Sequence, residues 1–141
     1  MKAFSHKTET RVKWDETDCS GVIYLSNYCK WFDDAIVEFL RSRKITNPAD
    51  GGLRVNGEPQ EVTFVVGEYQ CRIISPSRLD DLLEIYTRVE EIRSKTIIFK
   101  SELRDGKDGR LLATGSSTYV CIKHGDFKSI NIPKNIVELI K

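Results

Sequence analysis

The chain has 141 residues, 22 basic against 21 acidic, a net charge of +1 and 40% hydrophobic residues. That length suits one domain with a real core, and so balanced a charge gives no general electrostatic case for binding nucleic acid or a membrane surface. No apolar run approaches the ~20 residues of a membrane span, and the opening MKAFSHKTETRVKW lacks the apolar centre of a secretory signal. The expectation is one domain, residues 1–141, in the cytoplasm, with no nucleic-acid or membrane partner.

Residues 4–14 alternate. Phe4, Val12 and Trp14 share a face with His6, Thr8 and Thr10, while Lys7, Glu9, Arg11 and Lys13 take the other, which predicts a half-exposed first strand. An acidic loop follows, Asp15-Glu16-Thr17-Asp18-Cys19-Ser20-Gly21. The period then changes. Tyr28, Trp31, Phe32, Ala35, Ile36, Phe39 and Leu40 repeat at three and four, laying a broad apolar stripe along a helix that stops near Arg43 to Ile45. Ser26 or Asn27 offers an N-cap, since either side chain can accept from a first-turn amide.

Asn47-Pro48 and Asp50-Gly51-Gly52 mark an irregular loop that ends at Asn56-Gly57-Glu58-Pro59. From Glu61 to Ile74 the period is two, with Gly67 a candidate bulge. Further strands are predicted at Leu82–Glu91, Thr96–Arg104 and Leu111–Lys123, with Asp105-Gly106-Lys107-Asp108-Gly109 as a hairpin loop. Pro133 is placed to open a final helix through Ile140. One strand, one long apolar helix and then antiparallel strands is an α+β order, most simply packed as a sheet around the helix.

Cysteines stand at 19, 29, 71 and 121 with no C-x-x-C pair, and the two histidines, His6 and His124, have no metal-ligand spacing. Reduced thiols and no metal are expected.

The stretch W-D-E-T-D-C-S-G-V-I-Y-L-S-N-Y-C-K-W-F-D-D-A resembles the opening motif of hotdog-fold acyl-CoA thioesterases of the 4-hydroxybenzoyl-CoA thioesterase type. The likeness continues through Ser75-Pro76-Ser77-Arg78-Leu79-Asp80-Asp81, Arg93-Ser94-Lys95-Thr96, Val120-Cys121-Ile122 and Ile132-Pro133, nearly the whole chain. It implies a curved antiparallel sheet wrapped around one long helix, with a short C-terminal helix. It also implies hydrolysis of a small, aromatic or medium-chain acyl-CoA thioester, with no cofactor beyond that substrate, by a homodimer that often pairs into a homotetramer.

Carried over residue by residue, the resemblance gives Asp18 as general base or nucleophile and the Leu25 backbone amide as the donor polarising the thioester carbonyl. From composition alone Asp18 caps a turn as readily as it reacts. Asp15 and Glu16 are electrostatic neighbours or surface charges in this reading. Many relatives carry a histidine where this chain has Leu25; a mechanism needing that imidazole is in doubt, while the amide survives the change. Gly21 lets the backbone approach a ligand or simply turns it. Tyr24, Tyr28 and Trp31 line an acyl tunnel or belong to the core, and Asn27 contacts substrate or caps the helix. Arg78, with Arg93, Ser94, Lys95 and Thr96, supplies cations and N–H donors for the coenzyme A phosphates, although charged turns are usually just solvated. Cys19 has no histidine in motif range to activate it. Two rival readings are an acyl carrier protein thioesterase and a non-catalytic acyl-CoA-binding module.

Overall fold

Alternating strands close on one side of an amphipathic helix in the computed structural model, which describes residues 3–18 and 20–141. Strands β1 (His6–Arg11), β5 (Val62–Ile73), β6 (Leu82–Ile92), β7 (Thr96–Asp105) and β8 (Leu111–Lys123) form an antiparallel sheet in the order β1-β6-β7-β8-β5. Helix α1 (Leu25–Ser42) lies across its concave face, and a short helix α2 (Lys134–Ile140) closes one end. This is the hotdog architecture.

Period-two patterning explains the packing. Along β7, Ile97, Phe99, Ser101 and Leu103 are buried, while the residues between them are half-exposed. Register joins His6, Thr87, Ser101, Gly115 and Cys71 into one inward row across all five strands. Gly115 lets α1 approach there, because a Cβ at that position would stand 2.7 Å from the Phe32 ring. This row of small, mostly polar residues parts two apolar clusters. One gathers Val12, Ile23, Tyr28, Trp31, Phe32 and Leu83 around the first half of α1. The other gathers Ile36, Phe39, Leu40, Phe99, Cys121 and Ile136 around its second half and α2.

Several sequence expectations are corrected. The first strand is shorter than residues 4–14: β1 ends at Arg11, and Trp14 falls in a 3-10 turn (Trp14–Glu16), 78% exposed. Phe4 does not share the inward face of His6, because its ring stacks on Arg88, an outward residue. Residues 45–59 are not wholly irregular. They form a small antiparallel sheet of β2 (Ile45–Thr46), β3 (Arg54–Val55) and β4 (Glu58–Pro59). The bulge at Gly67 is present as a register shift between Val66 and Glu68. Pro133 occupies the cap position just before α2.

Candidate active site

The acidic loop folds on itself through Asp18. The Ser20 hydroxyl and amide donate to Asp18 Oδ1 at 2.6 and 2.8 Å, and the Val22 amide at 3.4 Å. The Asp18 amide donates to the Val22 carbonyl (2.7 Å), and the Gly21 amide to the Asp18 carbonyl (3.0 Å), with Gly21 at φ +81° as the turn requires. The Ser20 hydroxyl first, then the Ser20 and Val22 amides, hold the Asp18 carboxyl below its usual range. Asp18 therefore does cap a turn, but only through Oδ1. Among the described residues Oδ2 accepts nothing. Cys19 lies outside the described residues.

Helix α1 opens beside this loop. It starts at Leu25, ahead of both expected N-caps. Tyr24 holds the cap position with extended backbone (φ −59°, ψ 139°) and gives no side-chain cap bond. Asn27 caps nothing; its amide group reaches back and donates to the Glu16 carbonyl at 2.9 Å. The Tyr24 amide also donates to Glu16 O, and the Asn27 amide donates to Tyr24 O. Among the described residues the Leu25 and Ser26 amides meet no acceptor, so two first-turn donors stay free at the positive end of the helix dipole.

Glu16 is not a surface charge. It is 4% exposed, accepts from the Lys13 amide (2.7 Å) and the Trp31 indole (2.9 Å), and has Lys30 Nζ at 3.7 Å. It anchors the loop to α1, so its role is structural. Trp31 and Tyr28 are core residues, packed edge-to-face at 5.7 Å.

A cleft of about 500 Å³ is lined by Trp14, Asp15, Thr17, Asp18, Gly21, Tyr24 and Leu79. Arg78 stands close by: it bridges Val22, and its Nη1 lies 3.9 Å from where a Gly21 Cβ would be. Asp18, Gly21, Tyr24, Arg78 and the start of α1 are thus brought together. Trp14 and Leu79 join them as walls, which alternation concealed because it placed Trp14 inward on a strand.

Arg93, Ser94, Lys95 and Thr96 are not brought to this cleft. They form the β6–β7 turn at the far end of the sheet, whereas β6 begins at Leu82, paired with Arg11 near the acidic loop. At ~3.3 Å per residue, the eleven residues of β6 span roughly 35 Å. The turn is fixed there by backbone bonds from Ile132 to Ser94 O and from Cys121 to Lys95 O, both 2.8 Å.

Residues 12–140 match the family model described as the thioesterase-like superfamily, and the chain belongs to that family. It is 30% identical over 131 residues to the acyl-CoA thioester hydrolase YbgC of Escherichia coli, covering 93% of this chain and 92% of that one. The solved DHNA-CoA thioesterase from Staphylococcus aureus superposes with a TM-score of 0.77 at 28% identity, over 89% of this chain and 78% of that one. A 1,4-dihydroxy-2-naphthoyl-CoA thioesterase from Synechocystis shares the fold, with a TM-score of 0.81 at 17% identity over 95% and 93% of the two chains. No helix among the described residues is long and apolar enough to cross a membrane.

Proposed function

We propose that this chain hydrolyses an acyl-CoA thioester, with Asp18 as the reacting carboxylate and the Leu25 amide as the carbonyl-polarising donor. One observation carries the reading. Among the described residues, an 18-residue helix opens without a side-chain cap beside a cleft lined by the carboxylates of Asp15 and Asp18, of which Asp18 is fixed in place through Oδ1 and keeps Oδ2 unengaged. The relatives named as acyl-CoA thioesterases support the substrate class.

The chemistry follows from those two groups. The thioester carbonyl oxygen takes the free N–H at the helix start, where charge developing on that oxygen is stabilised before it forms. Asp18 Oδ2 either removes a proton from the attacking water or itself attacks the carbonyl carbon. When water attacks, its proton passes by way of Asp18 to the departing sulfur, the C–S bond breaks, and coenzyme A leaves as the thiol with the free acid formed directly. When Asp18 attacks, the C–S bond breaks as an acyl–Asp18 anhydride forms, and the thiolate takes a proton from solvent. Water then hydrolyses the anhydride to release the acid and restore the carboxylate. Leu25 (64% exposed) and Tyr24 (51% exposed) present apolar surface near the cleft, in keeping with a small, aromatic or medium-chain acyl group.

A second copy of the chain completes this reading. Edge strand β5 is 12 residues long, with Val66 50% and Ile73 44% exposed, and such edges are commonly covered by a partner. A two-fold axis across paired β5 edges reverses one sheet relative to the other. The partner's Arg93–Thr96 turn would then lie at the same end as this chain's Asp18, where it can meet the coenzyme A phosphates. A homodimer, or a tetramer built from two, is the proposed assembly.

The test is thiol release from a panel of acyl-CoA esters by wild type and by Asp18→Asn. Wild type should turn over at least one ester, and the variant should lose roughly 100-fold or more in kcat while its melting temperature is kept. Near-normal kcat in the variant would sink the assignment. Turnover of acyl carrier protein esters alone would redirect the substrate class, and binding without turnover would leave only an acyl-CoA-binding module. Light scattering that showed a monomer at micromolar concentration would remove the composite site.

A further inference from the structure

The sheet face turned away from α1 is also ordered in rows. Register sets Arg88, Lys100, Ser116 and Gln70 side by side in one row, and Tyr86, Glu102, Thr114 and Arg72 in the next. Both rows alternate with the buried rows, so their side chains point outward. The other cations on this face have acid partners. Lys7 lies 3.2 Å from Glu84, Arg88 3.0 Å from Glu90, and Arg104 2.8 Å from Glu102. Arg72 and Lys100 differ: among the described residues neither makes an ion pair or a side-chain hydrogen bond.

These two cations flank the hydroxyls of Thr114 and Ser116 from opposite sides, since Arg72 on β5 pairs with Thr114 and Lys100 on β7 pairs with Ser116. All four line one groove of about 430 Å³. Arg88 belongs to the same groove; among the described residues its buried Nε has no acceptor, and its guanidinium carbon sits 4.6 Å over the Phe4 ring.

We propose that this groove is an anion site for a phosphate-bearing small molecule, gripped by Arg72 and Lys100 above the two hydroxyls. Strand spacing of ~4.8 Å and a rise of ~3.3 Å per residue put the two cation Cα atoms about 12 Å apart. Both side chains are long enough to converge above β8 from that separation. A guanidinium fork, an ammonium and two hydroxyls offer more donors than the two oxygens of a carboxylate can use; a diphosphate matches them. The site lies on the opposite side of the sheet from α1 and does not depend on the thioesterase reading. A free phosphorylated metabolite and the phosphates of the thioester itself share this chemistry.

Inorganic pyrophosphate is the probe, titrated at low ionic strength into wild type and into the double variant Arg72→Ala, Lys100→Ala. Wild type should be thermally stabilised. The double variant should bind at least about tenfold more weakly, as expected for two lost charge-assisted contacts. Kinetics separate the two sources. A free metabolite's site leaves KM for the CoA ester unchanged in the variant, and pyrophosphate does not compete. If the groove holds the substrate's own phosphates, the variant raises KM for the CoA ester but not for the N-acetylcysteamine ester, and pyrophosphate competes. Failure of millimolar pyrophosphate to stabilise wild type overturns the proposal. So does equal stabilisation of the double variant, which would put the anion elsewhere.

Discussion

The two ends of the sheet are built differently. At the Asp18 end large apolar groups stand in the open: Trp14, Tyr24, Leu25, Ile74, Leu79 and Leu82 are all more than a third exposed. There the helix starts uncapped and a carboxylate oxygen goes unused. At the Arg93 end the second cluster is sealed by α2, and backbone bonds from Ile132 and Cys121 pin the turn. The first end keeps polar groups unsatisfied beside a row of exposed apolar side chains. At the second the turn backbone is satisfied, and Phe127, 86% exposed, is the one large apolar group that stands fully open there among the described residues. The length of β6, roughly 35 Å, thus separates Asp18 from the Arg93 turn within one chain, and under the proposed function only a second chain would bring the two together.

The sharpest way to break this contrast is at the helix start. Leu25→Pro deletes the proposed donor, and Leu25→Ala, which keeps the amide, controls for the lost side chain. In Leu25→Pro the helix start is kept because Pro suits the first helical position and Tyr24 already has the extended backbone that a following Pro demands. We expect kcat to fall by roughly 100- to 1000-fold with the circular dichroism spectrum unchanged. Retained activity would mean that another group polarises the carbonyl. A smaller effect is expected from the opposite end. Replacing Arg93 and Lys95 together with Ala should raise KM for the CoA ester by roughly three- to tenfold and spare kcat, since exposed phosphate contacts are individually weak and act as uniform binding. The loss should shrink in high salt, and the N-acetylcysteamine ester should be indifferent. Equal losses for both esters would make the turn a structural element only.

The smallest effect is a shift in pH. In the proposed role Asp18 acts as the anion, and its lowered pKa keeps it ionised to more acid pH than an ordinary aspartate. Ser20→Ala removes the leading cause of that lowering, so the acid limb of kcat/KM should move to higher pH, with the plateau near neutrality kept. A limb that does not move would separate the titration from Asp18.

Most elements were legible because their periods run long enough to register. The stripe from Tyr28 to Leu40 and the alternation of β6 to β8 each rest on several residues that agree, while the bulge at Gly67 was legible from one glycine inside a strand pattern. The sheet of β2, β3 and β4 was not legible, since two-residue strands have no period to read. The helix start was misplaced for a physical reason. Asn27 has the chemistry of a cap, but its side chain is drawn back to Glu16 O, at the end of the 3-10 turn where the expected alternation had already failed. Burial of Glu16 depends on the Trp31 indole, fifteen residues away, and no local pattern carries that pairing. The separation of Asp18 from Arg93 follows only from strand order and register.

The row His6-Thr87-Ser101-Gly115-Cys71 does more than admit Phe32. A continuous apolar core couples every part of a domain to global unfolding; an interior parted by a polar seam loosens in units of its own. Among the described residues the buried Thr87 hydroxyl and His6 Nδ1 have no partner, which argues for weaker cohesion across the seam than within either cluster. Amides around the first half of α1 should accordingly exchange with solvent through openings that leave the α2 end folded, and native-state hydrogen exchange that found one uniform protection for both halves of α1 would show the seam to be without effect.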